Sequence, residues 1–436
     1  MSPAVPVPGI DGGPSRRFLW ALAAILVAAF ALRTAYTLAV TRHDADLYDQ
    51  TYYELQARDI AQGHKLFDDP FVHFRTPSVD TPAADHPPLA VIAFLPAALI
   101  RDGANANLAM RFTTVLLGVA VVALIALLGR EVGGEAVGLI AAAIAAVDPN
   151  LWMNDGLIMS ESLAVLLTTA IVLVSYRTVR DGTTLRRAIA LGALVALVTL
   201  TRAELGLLLP FLVAPALWVG ARRGSEGHWR PLVVSVAVLG LLLAPWVAFN
   251  VTRFQDPVLI STGDGLALRG ANCDISYYGA DIGSTEMFRC PSSGIGVEQS
   301  VWNTQNRDEA LSYIRAHLSR LPLVALARVG RAWGVVNVNQ TNEIASHEGR
   351  PVWASRLGLL AEALVLALAV WGGVVMRRRR QPLWVLLMPI VVTTLAIAFL
   401  AAGLSRYRAP AEPGLVVLAA VGAYALATRR TRADAA

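Results

Sequence analysis

Lysine is almost missing from this chain: Lys65 is the only one, and arginine carries nearly all the positive charge. Charge of either sign is scarce, at 16% of 436 residues, and cysteine is limited to Cys273 and Cys290. With 55% hydrophobic residues and a mean hydropathy of +0.53, the chain lacks the polar surface of a soluble protein, and lipid is its main solvent. Two thiols without nearby histidines argue against a thiolate metal site. A pI near 9.5 is not a nucleic-acid signature here, because the arginines lie beside apolar segments, where orientation signals belong. No internal repeat of fixed period and no heptad pattern is visible.

What the chain has is a series of apolar runs long enough to span a bilayer as helices. The first, over 18–40, follows a Pro/Gly-rich stretch read as a disordered cytoplasmic tail, 1–17, and has no small-residue cleavage site behind it. Later runs fall near 111–129, 132–147, 157–176, 188–200, 205–220, 232–249, 357–376, 383–404 and 414–427. Arginines mark the connections at 130–131, 177–187, 222–230 and 377–380, and the tail 429–436. Placing all of these in the cytoplasm gives about ten spans with both ends inside. The apolar stretch 89–100, of about 12 residues, is too short to cross and would invert the later arginine clusters, so it reads as an interfacial or re-entrant helix.

The expected fold is therefore an all-α polytopic membrane protein. An N-terminal transmembrane module, 18–249, carries a catalytic outer loop at 41–110. A mixed extracytoplasmic loop follows at 250–355, then C-terminal transmembrane helices at 356–428. Within the 250–355 loop a helix is expected over 308–317, and 321–336 is expected to lie on the membrane surface. Cys273 and Cys290, an extracytoplasmic pair, are expected to form a disulfide.

The stretch 49–89 stands out as acidic, aromatic and proline-rich between apolar runs. Tyr53, Ala57 and Ile60 recur at helical spacing, Gly63 ends the run, and Asp49 suits the positive end of the helix dipole. His86-Pro87-Pro88 then stops any helix. Unusual charges arrive on the same side of the scheme: Asp155 and Glu161 in DPNLWMNDGLIMSES, Arg202 and Glu204 in TRAE, and Arg406 and Arg408 in SRYRAPAEP. A charge in such apolar surroundings costs about 2.5–3.5 kcal/mol on insertion scales, so it has a partner or a purpose. Glu161, Arg202 and Glu204 read equally as mutually paired charges that hold helices together. Gathered at one face, the set points to an active or transport site.

The pattern D-x-x-Y-Y-x-x-x-A-x-x-I-A-x-G, from Asp49 through Tyr53 to Gly63, followed by HPPL, resembles the first outer loop of GT-C membrane glycosyltransferases. The resemblance is to the branch with bacterial protein O-mannosyltransferases and lipid A aminoarabinose transferases, and with the other three motifs it covers most of 33–427. It implies a GT-C-like bundle and transfer of sugar from a polyprenyl-phosphate donor to a glycan, lipid or protein acceptor outside the cytoplasmic membrane. The family's loop aspartate maps onto Asp49, by its spacing to Tyr53 and Ala57, rather than onto Asp44 or Asp46. As a general base, Asp49 would deprotonate the acceptor hydroxyl and invert the anomeric centre. Arg202, Arg406 and Arg408 would neutralise the donor phosphate. Tyr53, His86, Asp155, Glu161 and Glu204 are expected to line the donor or acceptor site, although His86 reads equally as a residue that orders its loop. Asp44, Asp46, Asp49, Asp155 and Glu161 together would suit a hard divalent cation, but the branch resembled works without an obligatory metal, so no cofactor is expected. Better-known members carry a C-terminal soluble domain where this sequence has the 250–355 loop, which leaves the acceptor open. The competing class, a transporter or flippase of a lipid-linked sugar, calls for repeat symmetry and broken helices in matching halves.

Overall fold

The computed structural model describes residues 13–43, 49–76, 79, 81–223, 229–285, 289–290, 297–400 and 403–433. Among them every regular element is a helix, and the sole strand-like feature is an isolated bridge between Asp68 and Pro82. Among the described residues, seven helical segments are long and apolar enough to cross a membrane: Arg16–Ala39, Gly103–Gly133, Glu161–Asp181, Ala203–Ala221, Arg230–Val251, Val352–Arg378 and Ser405–Thr428. The chain is a multi-pass membrane protein. Three shorter helices, Glu135–Val147, Leu185–Thr199 and Leu383–Phe399, run alongside them.

Packing follows from small residues on facing helices. Val352–Arg378 lies against the final helix, Glu412–Ala433. A Cβ added at Gly372 would sit 1.9 Å from the Leu418 carbonyl oxygen, and one at Gly422 2.2 Å from that of Leu368. Such backbone approach is the usual means of helix association where lipid removes the hydrophobic drive. Gly103–Gly133 forms the central post, touching Arg16–Ala39, Glu135–Val147 and Glu161–Asp181. Its start is set by Asp102, whose Oδ1 accepts from the Asn105 amide at 2.8 Å.

Helix ends collect at two faces. At one, Ser15 donates to Glu135, Arg177 and Arg180 bind Glu131, Arg223 reaches the Val179 carbonyl, and Gln381 reaches that of Val132. The arginine-bearing connections therefore lie together. At the other face, the Leu89 amide donates to the Leu200 carbonyl at 2.8 Å, fixing the Leu89–Ala98 helix to the end of Leu185–Thr199. The ten-residue Leu89–Ala98 helix also packs on Asp49–Ala61. It thus caps the bundle end.

The 250–355 region differs from the mixed loop expected. Its regular elements among described residues are all helical, including Gly263–Ala271, Gln299–Ala316, Leu321–Ala332 and Val338–Ser346. The helix expected over 308–317 starts nine residues earlier because Glu298 caps it, accepting from the Ser300 and Val301 amides. Leu321–Ala332 exposes Leu323 and Leu326 while burying Arg328 and Arg331. Arg328 donates to the Ala398 carbonyl and so ties the loop to the bundle, whereas Arg331 donates to that of Ile282 and braces the loop internally. Cys273 and Cys290 form a disulfide. The last two long helices begin at Val352 and within Ser405–Ala411, slightly before the expected 356 and 414.

The two faces generate a labelling test. In a ten-span arrangement, a cysteine at exposed Arg378 reacts with an impermeant thiol reagent only from the arginine-rich side. One at exposed Glu343 reacts only from the other. Labelling of both from one side would overturn the scheme.

Candidate active site

Asp49 opens its helix, and Tyr52, Tyr53 and Ala57 bury that helix against Phe94 and its neighbours. The same packing places His86. Its ring stacks on Tyr53 at 4.9 Å and meets Tyr52 edge-on at 5.0 Å, which leaves Nε2 3.6 Å from Asp49 Oδ1. The other carboxylate oxygen, Oδ2, accepts from Arg406 Nη1 at 2.7 Å. Residues 357 positions apart thus meet at the bundle end.

Arg406 belongs to a larger cluster around Glu161, the first residue of its helix. Glu161 Oε1 faces Arg202 Nη1 at 3.3 Å, Arg350 Nη2 at 3.4 Å and Arg406 Nη1 at 3.7 Å. Glu204 holds Arg202 at 2.8 Å. Glu348 bridges Arg350 and Arg406, at 3.2 Å from each. Tyr407 lies under Arg202 and Arg406, with cation–π distances of 5.0 and 5.1 Å. Glu161 is 1% exposed, whereas Asp49 retains 24% and His86 29%. The cluster is closed below and open at its Asp49–His86 rim.

Charge is distributed unevenly over this rim. Burial opposes ionisation of Asp49, but Arg406 and then His86 outweigh it and hold the carboxyl well below the usual carboxylate range. Burial pushes Glu348 the other way, above its ordinary value, against the pull of Arg406 and Arg350. Two carboxyls on one guanidinium are thus driven apart.

Not every expected residue joins the cluster. Asp155 pairs instead with Arg33 at 2.7 Å and accepts from Ser162 Oγ at 2.6 Å, tying the 148–162 turn to the first helix. Arg408 points into a second buried cluster, 3.3 Å from both Glu362 and Glu412, and donates to Asn150 at 2.8 Å. Asp44 and Asp46 lie outside the described residues. Asp49, Asp155 and Glu161 each face arginines, so they do not gather as an oxygen cage for a divalent ion.

Glu348 and Arg350 join the cluster without any mark in the sequence. They sit in SHEGRP, a polar stretch, where charges carry no apolar flanks to mark them. Their signal was position: an acid and a base immediately before the Val352–Arg378 span. Glu362 and Arg33 did carry the apolar-flank signal, and each proves to be the partner of an expected residue.

Residues 85–249 match the family model described as dolichyl-phosphate-mannose-protein mannosyltransferase. No curated protein matches the chain in sequence. Among solved structures it is similar to the archaeal oligosaccharyltransferase AglB from Archaeoglobus fulgidus, in complex with an inhibitory peptide and a dolichol-phosphate. That match has a TM-score of 0.56 and 16% identity, over 96% of this chain and 52% of that one. The apo form of the Archaeoglobus fulgidus oligosaccharyltransferase gives a TM-score of 0.56 at 14% identity, over 95% and 51%. The chain therefore spans about half the length of the solved structures it matches. At this identity the likeness defines the fold, which is that of the GT-C membrane glycosyltransferases.

The two clusters predict different losses. Arg408→Ala leaves Glu362 and Glu412 buried at 3% and 0% exposure without their cation, and should cost about 3–5 kcal/mol of stability. Arg406→Ala should cost much less, because Asp49 reaches solvent and Glu161 keeps two arginines. Equal drops in thermal midpoint would contradict this division.

Proposed function

We propose that this protein is a membrane glycosyltransferase that moves a sugar from a polyprenyl-phosphate donor to an acceptor hydroxyl at the extracytoplasmic face of the cytoplasmic membrane. The observation that carries the reading is the Asp49–Arg406 pair at 2.7 Å, a carboxylate and a phosphate-binding group on one rim where helix ends meet a surface loop. The donor's lipid would lie in the bilayer with its phosphosugar at that rim. The match of 85–249 to the mannosyltransferase model and the dolichol-phosphate in the AglB complex support this donor chemistry.

Arg406 is the phosphate ligand, assisted by Arg202 and Arg350, since guanidinium offers a charged planar fork to phosphate oxygens. Each arginine already holds a carboxylate, so an incoming phosphate competes for them. When the phosphate takes Arg406, Asp49 loses the strongest attraction that depresses its pKa and becomes more basic. Donor binding thereby switches on the base. The acceptor hydroxyl then attacks the anomeric carbon and its proton passes to Asp49. The bond from that carbon to the phosphate oxygen breaks, and polyprenyl phosphate leaves with the electron pair. Displacement in one step inverts the anomeric centre. His86, 3.6 Å from Asp49, holds the freed carboxylate in place.

Asp49→Asn keeps size and one acceptor oxygen, so it should fold and bind donor at least as tightly. Transfer should fall by roughly 10²–10⁴-fold. The assay uses purified protein in detergent, where transport has no meaning, and donor turnover there also excludes a flippase. Near wild-type transfer by Asp49→Asn, with Asp44→Asn or Asp46→Asn inactive, would move the base to that residue. The pH sign follows from the depressed carboxyl. Its stabilising pairing is complete above the ordinary value of 3.8 and is lost only as pH falls through the lower folded value. Without donor, the stability difference between wild type and Asp49→Asn should therefore be flat between about pH 5 and 8.

A further inference from the structure

We propose that Asp59, His64 and His73 form a binding site for a divalent transition metal of the zinc class, distinct from the Asp49 cluster. Their ligand atoms all lie within 4.8 Å of one another. Asp59 is ten residues beyond Asp49 in the same helix, about 15 Å away at 1.5 Å per residue, so the site is not part of the reaction centre.

The local fold builds this convergence. Gly63 takes φ +86°, a left-handed conformation that only glycine adopts without strain, and turns the chain back on itself. The His64 amide then donates to the Asp59 carbonyl at 3.1 Å, which sets His64 beside Asp59 at the helix end. His73 comes from the Pro70–Arg75 turn of helix, whose start is fixed by Asp69 Oδ1 accepting from the Phe71 and Val72 amides at 2.9 and 3.2 Å. The two imidazoles lie 4.3 Å apart between centroids, tilted by 54°. Asp59 and His73 are half-buried, and His64 is exposed. Among the described residues no protein group hydrogen-bonds or ion-pairs with any of the three side chains. Three metal-ligating groups converge, and none is occupied by another residue.

Two imidazoles and one carboxylate suit zinc, nickel or copper better than magnesium or calcium, which take oxygen ligands. In a tetrahedral zinc site with bonds of about 2.0–2.1 Å, ligand atoms lie about 3.3 Å apart, so small side-chain rotations close the 4.8 Å gap. The fourth position faces solvent and takes water. The mechanical consequence is a clamp. Backbone pairing of Asp69 with Thr81, 2.7 Å, and Ala83 with Phe67, 2.8 Å, holds the flanks of the Pro70–Arg75 turn. The metal would fasten the Pro70–Arg75 turn to the Asp49–Ala61 helix, with the Ala83 pairing three residues ahead of His86.

Tag-free protein is titrated with zinc by calorimetry, and protease cleavage within 64–76 is followed with and without the metal. One equivalent should bind, His64→Ala and His73→Ala should each weaken it at least tenfold, and His317→Ala and His347→Ala should leave it unchanged. Zinc should slow cleavage in the unaltered chain, a readout that stands even where a variant folds poorly. Undiminished affinity in the His64→Ala/His73→Ala double variant would overturn the proposal, as would loss of binding in Asp49→Asn alone. So would an unaltered chain that neither binds zinc nor gains protection.

Discussion

One buried carboxylate oxygen organises the charged end of this bundle. Glu161 Oε1 lies within 3.7 Å of three guanidiniums, which come from segments far apart in the chain. Arg202 follows the Leu185–Thr199 helix, Arg350 precedes Val352–Arg378, and Arg406 precedes Glu412–Ala433. An isolated charge at this depth would be expelled or neutralised. Here the start of the Glu161 helix adds its own positive dipole end, and the three arginines complete the compensation. Asp49 joins this assembly through Arg406 alone. Its carboxylate is therefore the member most readily exchanged for a ligand's anion.

The turn Ser405–Ala411 explains why neighbouring arginines serve different ends. It is a 3₁₀ turn, which advances about 120° per residue, so positions two apart point in different directions. Arg406 faces the rim with Asp49 and Glu348, and Arg408 faces Glu362 and Glu412 in the bundle. The first arrangement sets a largely buried cation beside the part-exposed Asp49 carboxylate at the rim. The second is a wholly buried set of charges joining two packed helices, whose value is in fixing the Val352–Arg378 and Glu412–Ala433 pair beneath the rim.

Much of this was legible because lipid makes the rules strict. Apolar runs, arginine connections and the helical spacing of Tyr53 and Ala57 were sufficient for an all-helical bundle. The short 89–100 run reads as an interfacial or re-entrant helix from its length and the arginine alternation, and it packs on Asp49–Ala61. The 250–355 region was less legible. Leu321–Ala332 shows its apolar face in the sequence, but the burial of Arg328 and Arg331 on backbone carbonyls is announced by no apolar pattern. For the same reason Glu348 and Arg350 escaped notice, since a charge in a polar stretch looks solvated until the fold brings it to Glu161. Arg406 and Arg408 look equivalent by charge and flanks, although in a helix of either kind positions two apart do not share a face.

The central claim is that a donor phosphate displaces Asp49 from Arg406 and so readies the base. A structure of the protein in lipid nanodiscs with polyprenyl phosphate tests it most directly. The account predicts phosphate oxygens on Arg406 with Asp49 no longer in contact with that guanidinium. Phosphate bound elsewhere, with the Asp49–Arg406 contact still at 2.7 Å, would contradict it.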